Sequence, residues 1–275
     1  MGLLDLLGKQ PATPDWRTRA LEDFSEYVFE HLRVLVAQHV ALTSAHVVAS
    51  AVEAAAAEEK AKSEGSSTDE RKATIFQDAA VFARQEIDDG LPLTHAQMTV
   101  TLWSAFEDAI RTLVFDHLSN DAALWEHPEF ARLKFSVQEF RALAKDALVL
   151  RVLDELERAH GLGLKTGMGR FATLLDVIGL GGPFERKVSD AVHEMVQVRH
   201  AIAHRRGRAD QRLLTACPWL QSRFPAGERI KLTREDVDRY AYALLDVNQI
   251  LFRRALGMRG DAADETTDTD GPAVA

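Results

Sequence analysis

The chain of 275 residues contains a single cysteine, Cys217, so no intrachain disulfide can staple it. A lone thiol fits a reducing compartment. Glycine and proline are scarce, at 16 and 8 residues, which argues against a turn-rich β architecture. Aromatic residues make up only 7%, and no long Val/Ile/Tyr alternation of the kind strands require is present. No apolar run approaches the roughly 20 residues that span a bilayer. The opening Met1–Gly8 is apolar but short and has no basic leader, so a signal peptide is not expected. Gly2 suits the first position of a myristoylation signal, yet Leu6 stands where that signal wants Ser or Thr. A cytoplasmic protein without membrane attachment is the expectation. Basic charge is also in deficit: the formal net charge is -9, which disfavours nonspecific duplex binding by bulk charge.

What the chain has in quantity is Ala, Leu, Glu and Arg, all strong helix formers, within a 46% apolar composition that can supply a core. The expected class is all-α. Charge is unevenly spread. Asp261 to Asp270 carries five acids and no base, whereas Arg199 to Arg212 carries five arginines against one aspartate.

Residues 1–14 read as a loose leader. A long helix is expected from Asp15 to Lys62, as an extended arm or with a break near Thr43-Ser44. Ser63–Thr68 reads as a loop, with Thr68 capping a helix that runs to Asp89-Gly90. Pro92 marks a break, and Thr94 is a candidate cap for a helix over 95–118. Further helices are expected near 127–134 and 136–160. Gly161, Gly163 and Gly167 interrupt the pattern before a short helix over 169–178. A helix follows from Phe184 to Arg205, then a mixed segment with a short strand or hairpin around Arg229–Leu232. Thr233 and Asp236 form a capping-box pattern that opens a last helix over 234–256. The organisation expected is an N-terminal helical accessory region over 1–90, a compact helical bundle over 91–257, and a disordered acidic, solubilising tail over 258–275.

The chemistry concentrates in Arg199-His200-Ala201-Ile202-Ala203-His204. Advancing about 100° per residue from Val188 puts Val192, Met195, Val196, Ile202 and Ala203 on one face with Arg199 near its middle. An arginine there is costly unless it has a partner or a task. His193, His200 and His204 fall together on the flank, and Gln197 and Glu194 lie further round. Such an arginine can also simply pair with a core carboxylate, and histidines near a helix C-terminus interact well with its dipole. The convergence of Arg199, the histidines and Arg205, Arg206 and Arg208 at one helix end suits a phosphate pocket with an acid–base group in reach. On the 95–118 helix, Glu107 sits at the edge of an apolar face made of Leu102, Trp103, Phe106, Ile110, Leu113 and Val114. It is the candidate carboxylate for orienting Arg199 or a histidine, with Arg111 as a competing i+4 partner.

Over residues 91–257 the chain resembles the HEPN superfamily of prokaryotic helical ribonucleases and nucleotide-associated domains. The signature of that superfamily is Arg, a polar residue, three variable residues and His near the end of a bundle helix. Here it maps to Arg199, His200, Ala201-Ile202-Ala203 and His204. The polar position is most often asparagine, so His200 is a departure that adds a titrating group. The acidic residue of an earlier helix maps to Glu107 in Leu102–Glu107. The Gly227–Val237 stretch leading into the helix with Tyr240 also looks like such domains. The resemblance implies a HEPN-like helical bundle with endoribonuclease activity that uses neither metal nor cofactor. It implies homodimers in which two motifs face one cleft, with RNA as the partner. His204 would act as general base or acid, Arg199 would stabilise phosphoryl charge, and His200 would position phosphate or assist proton transfer. A 2′,3′-cyclic phosphate and a 5′-hydroxyl would be the products, and the biological setting would be stress response, toxin–antitoxin or phage defence, under a regulatory protein partner. Two other readings compete. One is a non-catalytic helical module that binds a protein or nucleotide. The other is a zinc site on His193, His200 and His204, disfavoured by the neighbouring arginines and the missing carboxylate or cysteine support.

Overall fold

The computed structural model describes residues 15–60, 78–79, 81–134, 143–160 and 167–257; the side chains of residues 43 and 45–60 are outside that description. The expected leader, the 63–68 loop with its Thr68 cap, the start of the 136–160 helix, the Gly161 and Gly163 break and the acidic tail all lie outside the described residues.

The described chain is all-α and contains no strand. Helix α1 spans Arg19–Lys60, α2 Pro92–Asn120, α3 Lys145–Ala159, α4 Ala172–Val177, α5 Arg186–His204, α6 Gln211–Ala216 and α7 Arg234–Ala255. A further helical stretch at 81–88 leads into α2. The expected helix near 127–134 is instead the single 3-10 turn Phe130–Arg132, preceded by another over Ala122–Glu126. Helix α1 runs without the break anticipated at Thr43-Ser44. No described helix is long and apolar enough to cross a membrane.

Helix α2 is the central element, packed by α1, α3, α5 and α7. Its apolar residues recur at i, i+3 and i+4 around most of its circumference, which suits a helix covered on several sides. Leu102, Phe106, Ile110, Leu113 and Val114 are fully buried. Phe106 meets Phe24 of α1 at 5.4 Å, Trp103 at 5.8 Å and Phe171 at 5.6 Å between ring centroids. Each such side chain stabilises by about 1.5–3 kcal/mol through removal from water. Pro92 occupies the first turn of α2, where its missing N–H costs nothing. The chain turns into it through Gly90 and Leu91, both with positive φ (79° and 61°). Glu86 pins this corner. Its backbone carbonyl accepts from Leu91 N–H at 2.6 Å, and its carboxylate accepts from Leu93 N–H at 3.0 Å.

The core runs across residue 90. Leu21, Phe24, Val28 and Leu35 of α1 share it with α2, α5 and α7. Asn248 of α7 donates to the Leu21 carbonyl and to Ser25 Oγ, both at 2.8 Å, and Arg19 pairs with the buried Asp116 at 2.9 Å. The first part of α1 is therefore built into the bundle rather than attached to it.

Candidate functional site

Helix α5 ends where the chain behind it folds back. At its C-terminus Arg206 and Gly207 take positive φ (56° and 69°), and Arg205 and Gly207 N–H both donate to the Ala201 carbonyl. The chain then zips against residues 227–230. Ala209 N–H donates to Glu228 O at 2.9 Å, Gly227 N–H to Ala209 O at 2.8 Å and Ile230 N–H to Gly207 O at 2.8 Å. Where a short strand or hairpin was expected around Arg229–Leu232, the described residues hold an isolated antiparallel bridge, Arg208 to Arg229. Asp210 then caps the short α6, accepting from Leu213 N–H at 2.9 Å. This fold-back is what sets α6, and Arg212 on it, beside the end of α5.

The buried face of α5 is rotated from the one read in the sequence. Ala191, Met195, Val198 and Ala201 are buried, and Glu194 and Gln197 are buried with them, whereas Ala203 is exposed. Arg199 consequently stands at the margin of the packed face rather than at its middle. The reason is tertiary: α2 and α7 cover α5 on adjoining sides, so a two-sided burial replaces the single apolar stripe that periodicity assumes. Glu194 is 4% exposed and draws three donors. Trp219 Nε1 donates to it at 2.6 Å, Tyr240 Oη at 2.8 Å, and the Arg239 guanidinium closes the set.

Arg199 looks toward α2. Its Nη2 lies 3.8 Å from Glu107 Oε2, its side chain is 26% exposed, and its Nε is buried without a hydrogen-bond partner. The other oxygen of Glu107 accepts from Arg170, which the 3-10 turn Gly167–Arg170 brings to the same place. Glu107 thus sits between two guanidinium groups. Arg111, the competing partner, turns instead to Asp154 and Glu157 of α3. Beside this cluster an open cleft of about 280 Å³ is lined by Ser104, Glu107, Asp108, Arg111, Arg170 and Phe171, among others.

His200 and His204 look toward α6. Their ring centroids are 4.8 Å apart, and Arg212 Nη1 donates to His200 Nε2 at 3.4 Å. Arg205 pairs with Asp210 at 3.1 Å, and Arg208 donates to the Gly227 carbonyl at 2.8 Å. Desolvation, reinforced by Arg212, His204 and Arg205 and opposed by Asp210, holds the His200 imidazolium below its ordinary range. The third histidine is elsewhere. His193 Nε2 donates to the Ala216 carbonyl at 3.3 Å, and the backbone of His193 packs on Gly167. Helical rise separates His193 from His200 by about 10 Å, too far for the two to share one ion. Among the described residues no group of three His, Cys, Asp or Glu side chains is arranged to hold a metal.

The structure therefore brings Glu107 to Arg199, and His200 to His204, as two groups on different flanks of α5. Along one helix, Arg199 and His204 differ by about 140° and roughly 7.5 Å of rise. Three residues of this neighbourhood escaped the sequence. Arg170 lies in a glycine-flanked turn without periodicity, Arg212 was one of five arginines in a run, and Glu194 was assigned to the wrong side of the helix. No family model, curated protein sequence or solved structure matches the chain.

Proposed function

We propose that the chain is a metal-independent endoribonuclease of the HEPN-like kind it resembles, acting as a homodimer that brings two Arg199–His204 motifs to one cleft. The observation that carries this reading is the unfinished state of Arg199. It is partly exposed, and among the described residues its carboxylate neighbour Glu107 is 3.8 Å away and its buried Nε has no acceptor. A guanidinium with donors to spare, on the helix that also carries a contacting histidine pair and an arginine-rich end, suits recognition of a phosphodiester. The angular separation of Arg199 and His204 supports the dimer, because a second α5 can supply what one helix turns away.

In the reaction, the ribose 2′-oxygen bonds to the adjacent phosphorus as the bond to the 5′-oxygen breaks. One histidine takes the 2′-hydroxyl proton, and another gives a proton to the departing 5′-oxygen. Arg199 stabilises the charge that grows on the phosphoryl oxygens, with Glu107 and Arg170 fixing its direction. His204 serves in proton transfer, and His200 holds phosphate or shares that transfer. The products are a 2′,3′-cyclic phosphate and a 5′-hydroxyl, and the needed 2′-hydroxyl makes RNA the substrate. A toxin–antitoxin or antiviral setting with a regulatory protein partner follows only from the resemblance.

A second reading is favoured by one observation: Arg199 engages Glu107 on the flank away from His204. In that case the motif is a structural ion cluster and the bundle is a non-catalytic module that binds a protein or nucleotide. Cleavage of mixed cellular RNA in excess EDTA separates the two. Wild type is compared with Arg199→Ala and His204→Ala, and product ends are mapped. Cyclic phosphate ends from wild type alone support the nuclease. Equal background from all three refutes autonomous cleavage and favours the module.

A further inference from the structure

The contact between Arg212 and His200 carries more than a surface pairing. Arginine has five N–H donors and no acceptor, and it stays protonated throughout the accessible pH range. Arg212 Nη1 stands 3.4 Å from His200 Nε2. The atom it faces must then offer a lone pair, so the ring proton of His200 belongs on Nδ1 and the ring is neutral. Protonating Nε2 would delete the hydrogen bond and set two cations against each other.

We infer that Arg212 is a positioning residue that fixes His200 as the neutral, Nδ1-protonated ring and thereby makes it the proton acceptor of the His200–His204 pair. The use of that pair in catalysis rests on the ribonuclease reading above. The tautomer and its cause do not.

The groups that face His200 come from three places. Arg212 reaches it from α6, His204 and Arg205 share the end of α5, and Asp210 stands at the start of α6. Only Asp210 favours the imidazolium, and its carboxylate is already engaged by Arg205 and by the Leu213 N–H. Burial acts in the same direction as the arginines. The balance therefore keeps His200 unprotonated at a pH where an ordinary histidine is already partly charged. The contact with Arg212 is long and exposed, so an incoming hydroxyl can replace it at Nε2. The guanidinium it releases is left beside the site with its charge available for an anionic oxygen. The step balances simply: the hydroxyl O–H bond breaks, its proton passes to Nε2, and the oxygen keeps the electron pair for attack on phosphorus. The new imidazolium is repelled by Arg212, which favours release of the proton, and the His204 ring stands beside it at 4.8 Å between centroids.

The arrangement also narrows the work of His200, from holding phosphate or sharing proton transfer to accepting the proton. His200 stands where the superfamily most often has asparagine, and an asparagine there would have nothing to gain from a neighbouring cation at this distance in the way of proton affinity.

The test uses the full chain, uniformly labelled with ¹⁵N, and follows ring nitrogen shifts against pH in wild type, R212Q and R212K, with His200 assigned through H200Q. Because Arg212 is exposed, its replacement leaves the core untouched, and far-UV circular dichroism checks this. Wild type is expected to show the Nδ1–H tautomer at His200. R212Q is expected to shift its titration midpoint upward and mix the tautomers, while R212K keeps the midpoint low. If His200 carries its proton on Nε2, or R212Q leaves its midpoint unmoved, the inference is overturned whatever the activity. In parallel, the acidic limb of the cleavage profile is expected to move to higher pH in R212Q. The expected nitrogen shifts without cleavage by any variant would leave the Arg212–His200 device standing and refute the ribonuclease reading alone.

Discussion

Replacing Glu194 by glutamine tests how much of the bundle depends on one carboxylate. Glu194 is 4% exposed and serves Tyr240 Oη at 2.8 Å, Trp219 Nε1 at 2.6 Å and the Arg239 guanidinium. Glutamine keeps the shape, removes the charge, and turns an NH2 group toward donors. Tyr240 Oη and the Arg239 guanidinium share one carboxylate oxygen and Trp219 Nε1 faces the other, so the amide keeps its oxygen on the first pair, which loses the charge, and strands the Trp219 N–H against its NH2. The Trp219 ring is half exposed and the Arg239 side chain is 40% exposed, so water can replace part of what they lose. A stranded buried donor costs about 1–3 kcal/mol and a lost charge-assisted bond about 1.5–3 kcal/mol, so about 3 kcal/mol is expected for Glu194→Gln. At about 2–4 °C per kcal/mol for a domain of this size, the melting temperature falls by roughly 6–12 °C. Tyr240→Phe alone removes a donor while the carboxylate keeps two others, and should cost about 1 kcal/mol. Because the two residues share one bond, the double variant is expected to lose less than the sum by at least about 0.5 kcal/mol. Urea unfolding followed by circular dichroism measures all three. A Glu194→Gln protein within about 0.5 kcal/mol of wild type, or strict additivity with Tyr240→Phe, would refute the reasoning.

Other consequences are open to direct measurement. His95 and His117 are buried, and desolvation lowers both below the ordinary histidine value, against the hydrogen bonds they give to the Leu232 and Leu113 carbonyls. Their folded pKa lies below the unfolded value of about 6.5, so the unfolded chain binds protons first. Stability is full above that pH and falls on acidification toward the folded values; urea midpoints from pH 7 to 5 should decline, and less steeply in His95→Gln/His117→Gln. That comparison isolates the imidazoles from Asp116, whose carboxyl burial pushes upward. An equal decline in both proteins would sink the assignment. Burial, aided by Glu194, pushes the Cys217 thiol up to about 12, so a soluble disulfide reagent should leave the native chain unmodified and react rapidly in urea. Fast stoichiometric reaction without denaturant would contradict this. Phe106→Ala, at the meeting of Phe24, Trp103 and Phe171, should cost about 3–5 kcal/mol in the same urea assay, and a cost under about 1 kcal/mol would show that the core is not organised around that ring.

Local signals in this chain were readable because they act within a few residues. Thr233 and Asp236 form the capping box the sequence announces, with Asp236 N–H donating to Thr233 Oγ1 at 3.4 Å and Thr233 N–H donating to Asp236 Oδ2 at 2.9 Å. The ends of α5 and α7 fall within a few residues of the periodicity and its stop signals. Glu107 reads as an edge residue from its own helix and stands near Arg199 at 3.8 Å, but the marginal position from which Arg199 meets it is not the mid-face position that periodicity gives. What was not legible depends on which neighbour covers which side. The facing of α5, and with it the burial of Glu194, is decided by two helices arriving at adjoining angles. Arg170 reaches Glu107 from a turn, and Arg212 reaches His200 only because residues 207–210 and 227–230 zip together across a long sequence interval. Ahead of the helix expected near 127–134, Asp121 accepts from Ala123 N–H and Trp125 Nε1 donates to the Leu118 carbonyl, closing a 3-10 turn over Ala122–Glu126 that the sequence reading did not include.

The corner at Gly90-Leu91 has a mechanical consequence. A leucine with a left-handed backbone costs about 1–2 kcal/mol, and here it is held by its own burial at 5% exposure and by the double grip of Glu86. A joint so secured does not act as a swivel. The helical stretch at 81–88 and the start of α2 turn as one piece, and α2 is an unbroken rod from Pro92 through Glu107 to Asn120. The 81–88 stretch, on which Val81 and Phe82 stand exposed, therefore meets α2 at an angle set by these contacts rather than by a free loop. The carboxylate between Arg170 and Arg199 lies on the same helix, about 22 Å beyond that corner at the helical rise of 1.5 Å per residue.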